Sequence, residues 1–379
     1  MIQVLLNVHF FPGLCLLILG LGLQFHVVGW LLRRYRQRAW ILSGAWASTI
    51  LLGLGYALEF QWAQRISAVK WWTWLECASL VETMWLIGFS LALLIWTRVP
   101  QFDPSRRRML QAAAAAICVV PVVGTGFGIV RRNRFQLSEV SIPIPNLPKD
   151  LDGLRIVQIT DIHLSEFLSE RELAAAIDMA NEARANLALV TGDLITRRGD
   201  PLDACIRQLG RVRADAGVLG CLGNHEVYAE VEDYVTTEGR RVGIEFLRHQ
   251  SKQLRFGNAV INFAGVDYQK MHSTYLAGVD RLIVPGAVNI LLSHNPDVFP
   301  VAAAQGYHLT IAGHTHGGQV DFEILHEHVN VARYFTPYVR GLYRHDKSSV
   351  YVSTGLGTIG APVRIGVPPE ISVLRLCAT

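Results

Sequence analysis

Ile311-Ala312-Gly313-His314-Thr315-His316-Gly317-Gly318-Gln319 begins inside the apolar run Leu309 to Ala312, and its reading decides the fold. A short apolar run bounded by turn residues predicts a buried strand, and side chains two apart on a strand share a face. The glycines let the chain leave the strand end sharply and bring backbone close to whatever the imidazoles hold. Two imidazoles placed there predict a metal site at the C-terminal edge of a sheet. Taken alone, the nine residues fit a polar loop with two hydrogen-bonded histidines better, so partners elsewhere must decide.

Those partners lie at the ends of other apolar runs. Leu154 to Thr160 reads as a buried strand delivering Asp161-Ile162-His163. Ser169 to Ala185 reads as a helix opened by a Ser169/Glu172 capping box. Leu187 to Val190 is a strand delivering Gly192-Asp193, and Pro201 to Val212 a helix. Gly217 to Leu222 is a strand delivering Gly223-Asn224-His225-Glu226. Further strands are predicted at Val260 to Val266, Val288 to Ser293 (delivering His294), Val350 to Thr354 and Ile371 to Leu376. Strands alternating with helices predict an α/β layered domain whose site lies beyond the strand ends, where each of these polar clusters falls. Arg131 to Leu151, with Pro143, Pro145 and Pro148, reads as a connector.

The strand-end set is Asp161, His163, Asp193, Asn224, His225, His294, His314 and His316. Nitrogen and oxygen donors without thiolate suit Mn, Fe or Zn in an open hydrolytic site and are too nitrogen-rich for a Ca or Mg cage. They also outnumber the ligands of one ion with an open position, which predicts two metals sharing a carboxylate. His326-Glu327-His328 has metal-like spacing but reads as a solvated loop, and His249, His272, His308 and His345 as structural or surface residues. Glu226 reads as support behind the ligands. Arg340 and Arg364 could equally meet a phosphate or form ordinary ion pairs. The six cysteines contain no C-x-x-C pair, so they form neither a disulfide framework nor a thiolate site.

The blocks D-x-H (Asp161, His163), G-D (Gly192, Asp193), G-N-H-E (Gly223 to Glu226), H (His294) and G-H-x-H (Gly313 to His316) resemble, in this order, the signature of the calcineurin-like metallophosphoesterase superfamily. Gly355 to Ile371 and G-H-T-H-G-G-Q look like its bacterial membrane-associated branch. The resemblance covers residues 150–376 and implies an αββα metallophosphoesterase sandwich with two divalent metal ions. It implies Asp161, His163 and His316 on the first metal, Asn224, His294 and His314 on the second, and Asp193 bridging. His225 would act on the leaving oxygen without binding metal, and a metal-bridging hydroxide would attack the ester.

The first third has a different character. Residues 1–134 hold 13 Lys+Arg against 4 Asp+Glu, a net of +9, whereas the remaining 22 and 27 give −5. The pI of 8.8 therefore comes from the first third, and no basic patch in the acidic remainder suggests nucleic-acid binding. Apolar stretches at Phe10 to Leu32, Trp40 to Phe60, Cys77 to Trp96 and Met109 to Val130 are each long enough to span a bilayer, which takes ~20 helical residues. Arg33, Arg34, Arg36, Arg38, Arg98, Arg106, Arg107 and Arg108 fall on one side of such spans. Arg65, Lys70, Arg131, Arg132 and Arg134 fall on the other, a bias that puts both ends outside. Ser105 to Gln111 resembles a twin-arginine export motif, with the same consequence. Trp62, Trp71, Trp72 and Trp74 read as an interfacial belt, and Gln24 and His26 as inter-helix hydrogen-bonders. Glu82, a carboxylate inside a span, reads as hydrogen-bonded or snorkelling.

The sequence thus predicts a membrane region with four transmembrane helices (1–134), a connector (135–150) and a metallophosphoesterase domain (151–379). The expected protein is a two-metal phosphoesterase on the outer (periplasmic) face of a bacterial inner membrane. Its expected substrates are envelope or lipid-linked phosphate monoesters or diesters. Alternatives are a pyrophosphatase of nucleotide-linked lipid precursors, which needs a cytoplasmic site, and a non-catalytic membrane sensor or assembly subunit.

Overall fold

The computed structural model describes residues 10–34, 39–58, 71–98, 104–270, 273–324 and 327–379, in two compact units. Arg36, Arg38, Trp62, Arg65, Lys70, His272 and His326 lie outside the described residues.

The first unit is built on helices at the predicted apolar stretches: α1 (Phe10–Arg34), α2 (Ala39–Leu58), α3 (Trp71–Arg98) and α4 (Pro104–Arg131). Gln24 on α1 donates to Ala45 O (3.3 Å), Ser48 Oγ (3.1 Å) and Thr49 Oγ1 (3.1 Å) on α2. Ser48 donates in turn to Glu82 on α3. This polar seam links three helices in the manner expected of Gln24, and gives Glu82 a hydrogen bond as its partner. The four-span reading needs correction. Among the described residues one stretch, Cys77–Leu94, is long and apolar enough to cross a membrane, with 18 residues at a mean hydropathy of 1.7. The apolar stretches of α2 (Ala39–Gly55) and α4 (Val119–Arg131) are shorter. In α4 the arginines 106–108 occupy the first two turns, which apolar residues would have to fill in a full span.

The second unit carries the α/β architecture expected of the chain. It begins with β1 (Gln136–Ile144), β2 (Arg155–Ile159), α5 (Glu170–Glu182), β3 (Leu187–Val190), α6 (Leu202–Leu209) and β4 (Val218–Gly220). There follow α7 (Asn224–Ala229), α8 (Glu232–Arg241), β5 (Ile244–Phe246), β6 (Gln250–Phe256), β7 (Ala259–Gly265) and β8 (Val288–Leu292). The chain ends with α9 (Phe299–Gln305), β9 (Leu309–Ala312), β10 (Asp321–Ile324), β11 (Glu327–Asn330), β12 (Gly341–His345), β13 (Ser348–Val352) and β14 (Glu370–Ala378).

One six-stranded sheet runs β1-β14-β2-β3-β4-β5 and a second runs β12-β13-β9-β8-β7-β6. Strands β2 to β5 are mutually parallel, as are β7, β8, β9 and β13, so their C-terminal ends gather at common edges. The alternating side chains of buried strands serve two cores. Ile156, Leu187, Leu189 and Leu374 of the first sheet pack between the sheets against Ile261, Phe263, Ile290 and Ile311 of the second. The intervening residues Val157, Ile159, Ala188 and Val190 face the opposite way, towards Leu173 and Ile177 of α5 and Ile206 and Leu209 of α6. On the outer face of the second sheet, Ala264 and Leu291 meet Val298 and Ala302 at α9. The layers are therefore helix, sheet, sheet, helix. Ser169 caps α5 with the predicted reciprocal box to Glu172.

Two local expectations fail. The connector contains a strand, β1, which pairs in parallel with β14. Pro143 is tolerated there because β1 is an edge strand with one partner. Glu327 and His328 fall in β11, paired antiparallel with β10, not in a solvated loop.

Candidate metal centre

All eight predicted residues converge where the parallel strands of the two sheets end. β2 leads to Asp161 and His163, β3 to Asp193, β4 to Asn224 and His225, β8 to His294, and β9 to His314 and His316. Ligand-type atoms of Asp161, His163 and His316 lie within 4.8 Å of one another, as do those of Asp193, His294 and His314. Asp193 stands between the two groups, its Oδ2 3.0 Å from His294 Nε2 and 3.5 Å from His163 Nε2. His163, Asp193 and His225 also form a set within 4.8 Å. His225 is therefore near the centre as well.

The backbone is strained to make this arrangement. Asp161, His163, Asp193, His314 and His316 have φ of +49°, +48°, +56°, +75° and +50°, in the left-handed region that L-residues seldom occupy. Such strain persists only where the surroundings over-determine it, and it concentrates at functional sites. Gly192, at φ +94°, is required where it stands. A Cβ there would come 2.5 Å from Gly223 N and 2.9 Å from His294 Nδ1.

Hydrogen bonds from behind fix each side chain. His294 Nδ1 is 2.7 Å from Thr191 O and His225 Nδ1 is 2.5 Å from Thr196 O. A carbonyl only accepts, so Nδ1 of each ring carries the proton and donates it. In the neutral ring that leaves Nε2 as the acceptor. His163 Nδ1 lies 3.2 Å from Thr196 Oγ1. His314 N donates to both carboxylate oxygens of Asp161 (2.9 and 3.1 Å), and His225 N donates to Asp193 Oδ1 (3.0 Å). Glu226 accepts from three backbone amides, Asp193 N (2.9 Å), Leu194 N (2.7 Å) and Gly223 N (2.8 Å). It is a buried brace between two site loops, in line with its expected supporting part.

Burial sets the electrostatics. It pushes His163 down to about 4 and His314 down to about 3, with His316 well below its ordinary value, which favours neutral imidazoles. His294 goes the other way. Burial opposes its charge, but Asp193 and Asp161 outweigh it and raise the ring to about 10. Asp193 is held well below the carboxylate range, its burial outweighed by His294 and His225. Burial raises Asp161 to about 6, with His294 opposing and Asp193 adding.

Cations fit this centre. Asn224 Oδ1 and His316 Nδ1 are buried without a hydrogen-bond partner, and Nε2 of His163 and of His294 faces only the shared Asp193 Oδ2 (3.5 and 3.0 Å), an expensive state for buried polar atoms. A donor set of imidazoles, carboxylates and one amide oxygen suits Mn, Fe or Zn.

The structure also shows what sequence reasoning missed. Thr191 and Thr196 orient the rings through backbone and hydroxyl oxygens. Gln158 links the sheets beneath the centre, donating to Thr191 Oγ1 (2.8 Å) and Ala312 O (2.9 Å). Tyr228 lies with its ring 5.6 Å from that of His225, and Tyr268 with its ring 5.6 Å from that of His314. The i, i+3 spacing of His225 and Tyr228 on α7 was the available signal. Arg340 forms an ion pair with Asp321 at 2.7 Å. Arg364 is buried and makes hydrogen bonds to backbone carbonyls at Thr354 (2.8 Å), Gly355 (3.2 Å) and Gly357 (2.5 Å).

Comparison with known proteins agrees with this geometry. A family model described as calcineurin-like phosphoesterase matches residues 154–318. An uncharacterised metallophosphoesterase of Campylobacter jejuni is 30% identical over 64% of this chain and 63% of its own length. One from Bacillus subtilis is 28% identical over 73% of this chain and 98% of its own. A zebrafish (Danio rerio) transmembrane protein with metallophosphoesterase domain is 30% identical over 64% of this chain and 57% of its own. The chain thus spans less than two thirds of the Campylobacter and zebrafish relatives.

Proposed function

We propose, from the premise that this chain belongs to the calcineurin-like phosphoesterase family through residues 154–318, that it is a membrane-anchored two-metal hydrolase of phosphate esters. The observation that carries the reading is the pair of candidate ligand groups with Asp193 between them, together with the buried Asn224 Oδ1 and His316 Nδ1 left without a hydrogen-bond partner. Asp161, His163 and His316 would hold one divalent ion and Asn224, His294 and His314 the other, with Asp193 shared between them. Bound there, Mn, Fe or Zn would supply positive charge for the phosphoryl oxygens and activate water.

The remaining chemistry belongs to the chain's own residues. His225 keeps its Nδ1 proton on Thr196 O, so it is the doubly protonated ring that would deliver its Nε2 proton to the departing oxygen and return to the neutral Nδ1–H form. The amide of His225 holds Asp193 Oδ1, which leaves Oδ2 facing His163 and His294. Glu226 fixes the backbone on which both residues sit. Closely packed side chains around Asp161 and Asp193 exclude bulk water from the floor of the site, which strengthens electrostatic interactions there.

The apolar span Cys77–Leu94 and the transmembrane relatives support anchoring in a membrane. Anchoring favours an ester of the envelope, such as a lipid headgroup, on the outer face. The test uses the full chain loaded with Mn, Fe or Zn and a panel of monoesters, diesters and lipid pyrophosphates. Asp193→Asn is expected to lower both metal content and turnover. His225→Ala is expected to keep the metal and lose ~10²–10⁴-fold in rate. Turnover of none of these esters would refute the enzyme reading. Metal loss in His225→Ala would make that histidine a ligand.

A further inference from the structure

The antiparallel pair β10 (Asp321–Ile324) and β11 (Glu327–Asn330) is followed by a short turn over Val331–Tyr334. Phe322 and Val329 face each other across the two strands, 43% and 49% exposed. Val331, Tyr334 and Phe335 extend the same apolar run at 63%, 86% and 68% exposure. The usual pattern is inverted here. The polar neighbours Asp321 and Asn330 are buried, and the large apolar side chains lie in water. Hydrophobic surface concentrated in this way marks an interaction site.

The hairpin is firmly held. Asp321 accepts from Arg340 Nη2 (2.7 Å) and lies 3.1 Å from His328 Nδ1. Asp321 N donates to Ile365 O (2.9 Å). Asn330 Nδ2 donates to Gly317 O (2.9 Å), which ties the hairpin to the turn carrying His316.

We propose that this face is a lipid-docking surface, with Phe322, Val329, Val331, Tyr334 and Phe335 seated in the interface of the bilayer that anchors the chain. The inference rests on the anchored reading above. Two observations select lipid over a protein partner or a second copy. The chain carries its own apolar helix, Cys77–Leu94, so a bilayer is the apolar phase available to every molecule. Tyr334 and Phe335 end the apolar run as adjacent exposed aromatic rings, and aromatic rings favour the headgroup layer of a bilayer. Docking there would hold the His316 turn at the lipid surface, so a headgroup phosphate could enter the metal centre without leaving the membrane.

The experiment places the full chain in vesicles of phosphatidylethanolamine and phosphatidylglycerol. An environment-sensitive nitrobenzoxadiazole label is attached at Tyr334→Cys and, as a control, at Lys347→Cys in the exposed β12–β13 turn. The signal of the labelled parent is subtracted. Blue-shifted emission quenched by doxyl lipids is expected at 334 and water-like emission at 347. Phe322→Cys provides a second position should Tyr334→Cys fold poorly. Water-like emission at both hairpin positions overturns the proposal, as does a shift that appears only when native membrane proteins are added.

In a second arm, the double variant Tyr334→Ser/Phe335→Ser should lose about tenfold in turnover of a vesicle-embedded phosphate ester, roughly the partitioning of one aromatic side chain. It should keep its turnover of soluble bis(p-nitrophenyl) phosphate. Equal loss on both substrates overturns docking. If the parent turned over neither substrate, the enzyme reading would fail, while the fluorescence would still decide the lipid contact.

Discussion

Glu226 carries more of the site than its place behind the ligands suggests. Its two oxygens take three backbone N–H groups, two of them from the loop that presents Asp193. Glu226→Gln replaces one acceptor oxygen with a donor, leaving at least one amide facing an N–H at a cost of about 1–3 kcal/mol. The loops would loosen, and metal affinity should fall about 10–100-fold, as is typical when a group supporting a ligand is lost. Isothermal titration with Mn reads this directly, and unchanged affinity would reduce Glu226 to a packing residue. His308 offers a test of pH dependence outside the centre. Its Nδ1 accepts from Asn289 N at 3.0 Å, and burial lowers it from the ordinary value of 6.5. A depressed folded pKa means the unfolded chain takes the proton first. The contribution of His308 is therefore present above about 6.5 and is lost as pH falls through its folded value. His308→Asn keeps an acceptor without titrating. The slope of Tm against pH between about 7 and about 5 should flatten in that variant, and an unchanged slope would assign the acid sensitivity to other groups.

At the scale of elements, the segment after β13 supports the first ligand group. Leu356 N donates to Thr160 O (3.1 Å) and Gly357 N to Asp161 O (2.6 Å), so residues 355–357 lie against the strand end carrying Asp161. Arg364 secures that segment through three carbonyls and ends in no carboxylate. Arg364→Ala would orphan those carbonyls in the interior and should cost about 1–3 kcal/mol. The readouts are a lower Tm and weaker metal retention under chelator. A variant equal to the parent in both would remove Arg364 from the account of the site. The sequence disclosed elements very unevenly. The strands leading to ligands were legible because they are buried on both faces and read as short apolar runs, and the Ser169/Glu172 box marked the start of α5. β6 (Gln-Ser-Lys-Gln-Leu-Arg-Phe) was not legible, because an edge strand facing solvent needs no apolar run. In β1, the alternation Val140, Ile142, Ile144 was masked by Pro143. The donor residues that gather at the strand ends were legible from their spacing. The carbonyls of Thr191 and Thr196 were not, since any residue type supplies a carbonyl, and the positive φ values at Asp161, His163 and Asp193 exist only because tertiary contacts impose them.

For the whole molecule, the side of the membrane depends on α4. Arg98 and the arginines 106–108 lie between α3 and α4, and such a cluster is retained on the cytoplasmic side. If Cys77–Leu94 alone crossed beyond that point, everything after it, metal centre included, would stay in the cytoplasm. An outward-facing centre therefore requires α4 to cross in the opposite direction. Its 28 residues make a helix of about 42 Å, but its apolar stretch, Val119–Arg131, is shorter than a full span, so reporter fusions decide whether it crosses. Val119, Val120, Val122, Val123, Phe127 and Val130 are exposed along it, as lipid-facing residues would be. Pro121 within α4 is tolerated in membrane helices, where neighbouring groups satisfy the freed carbonyl. We expect an alkaline phosphatase fusion after Thr379 to be active, because that reporter folds only outside the cytoplasm, and one after Arg108 to be inactive. Both inactive would mean that α4 does not cross. The centre would then face cytoplasmic substrates, and a pyrophosphatase of nucleotide-linked lipid precursors would become the better reading of the same ligands.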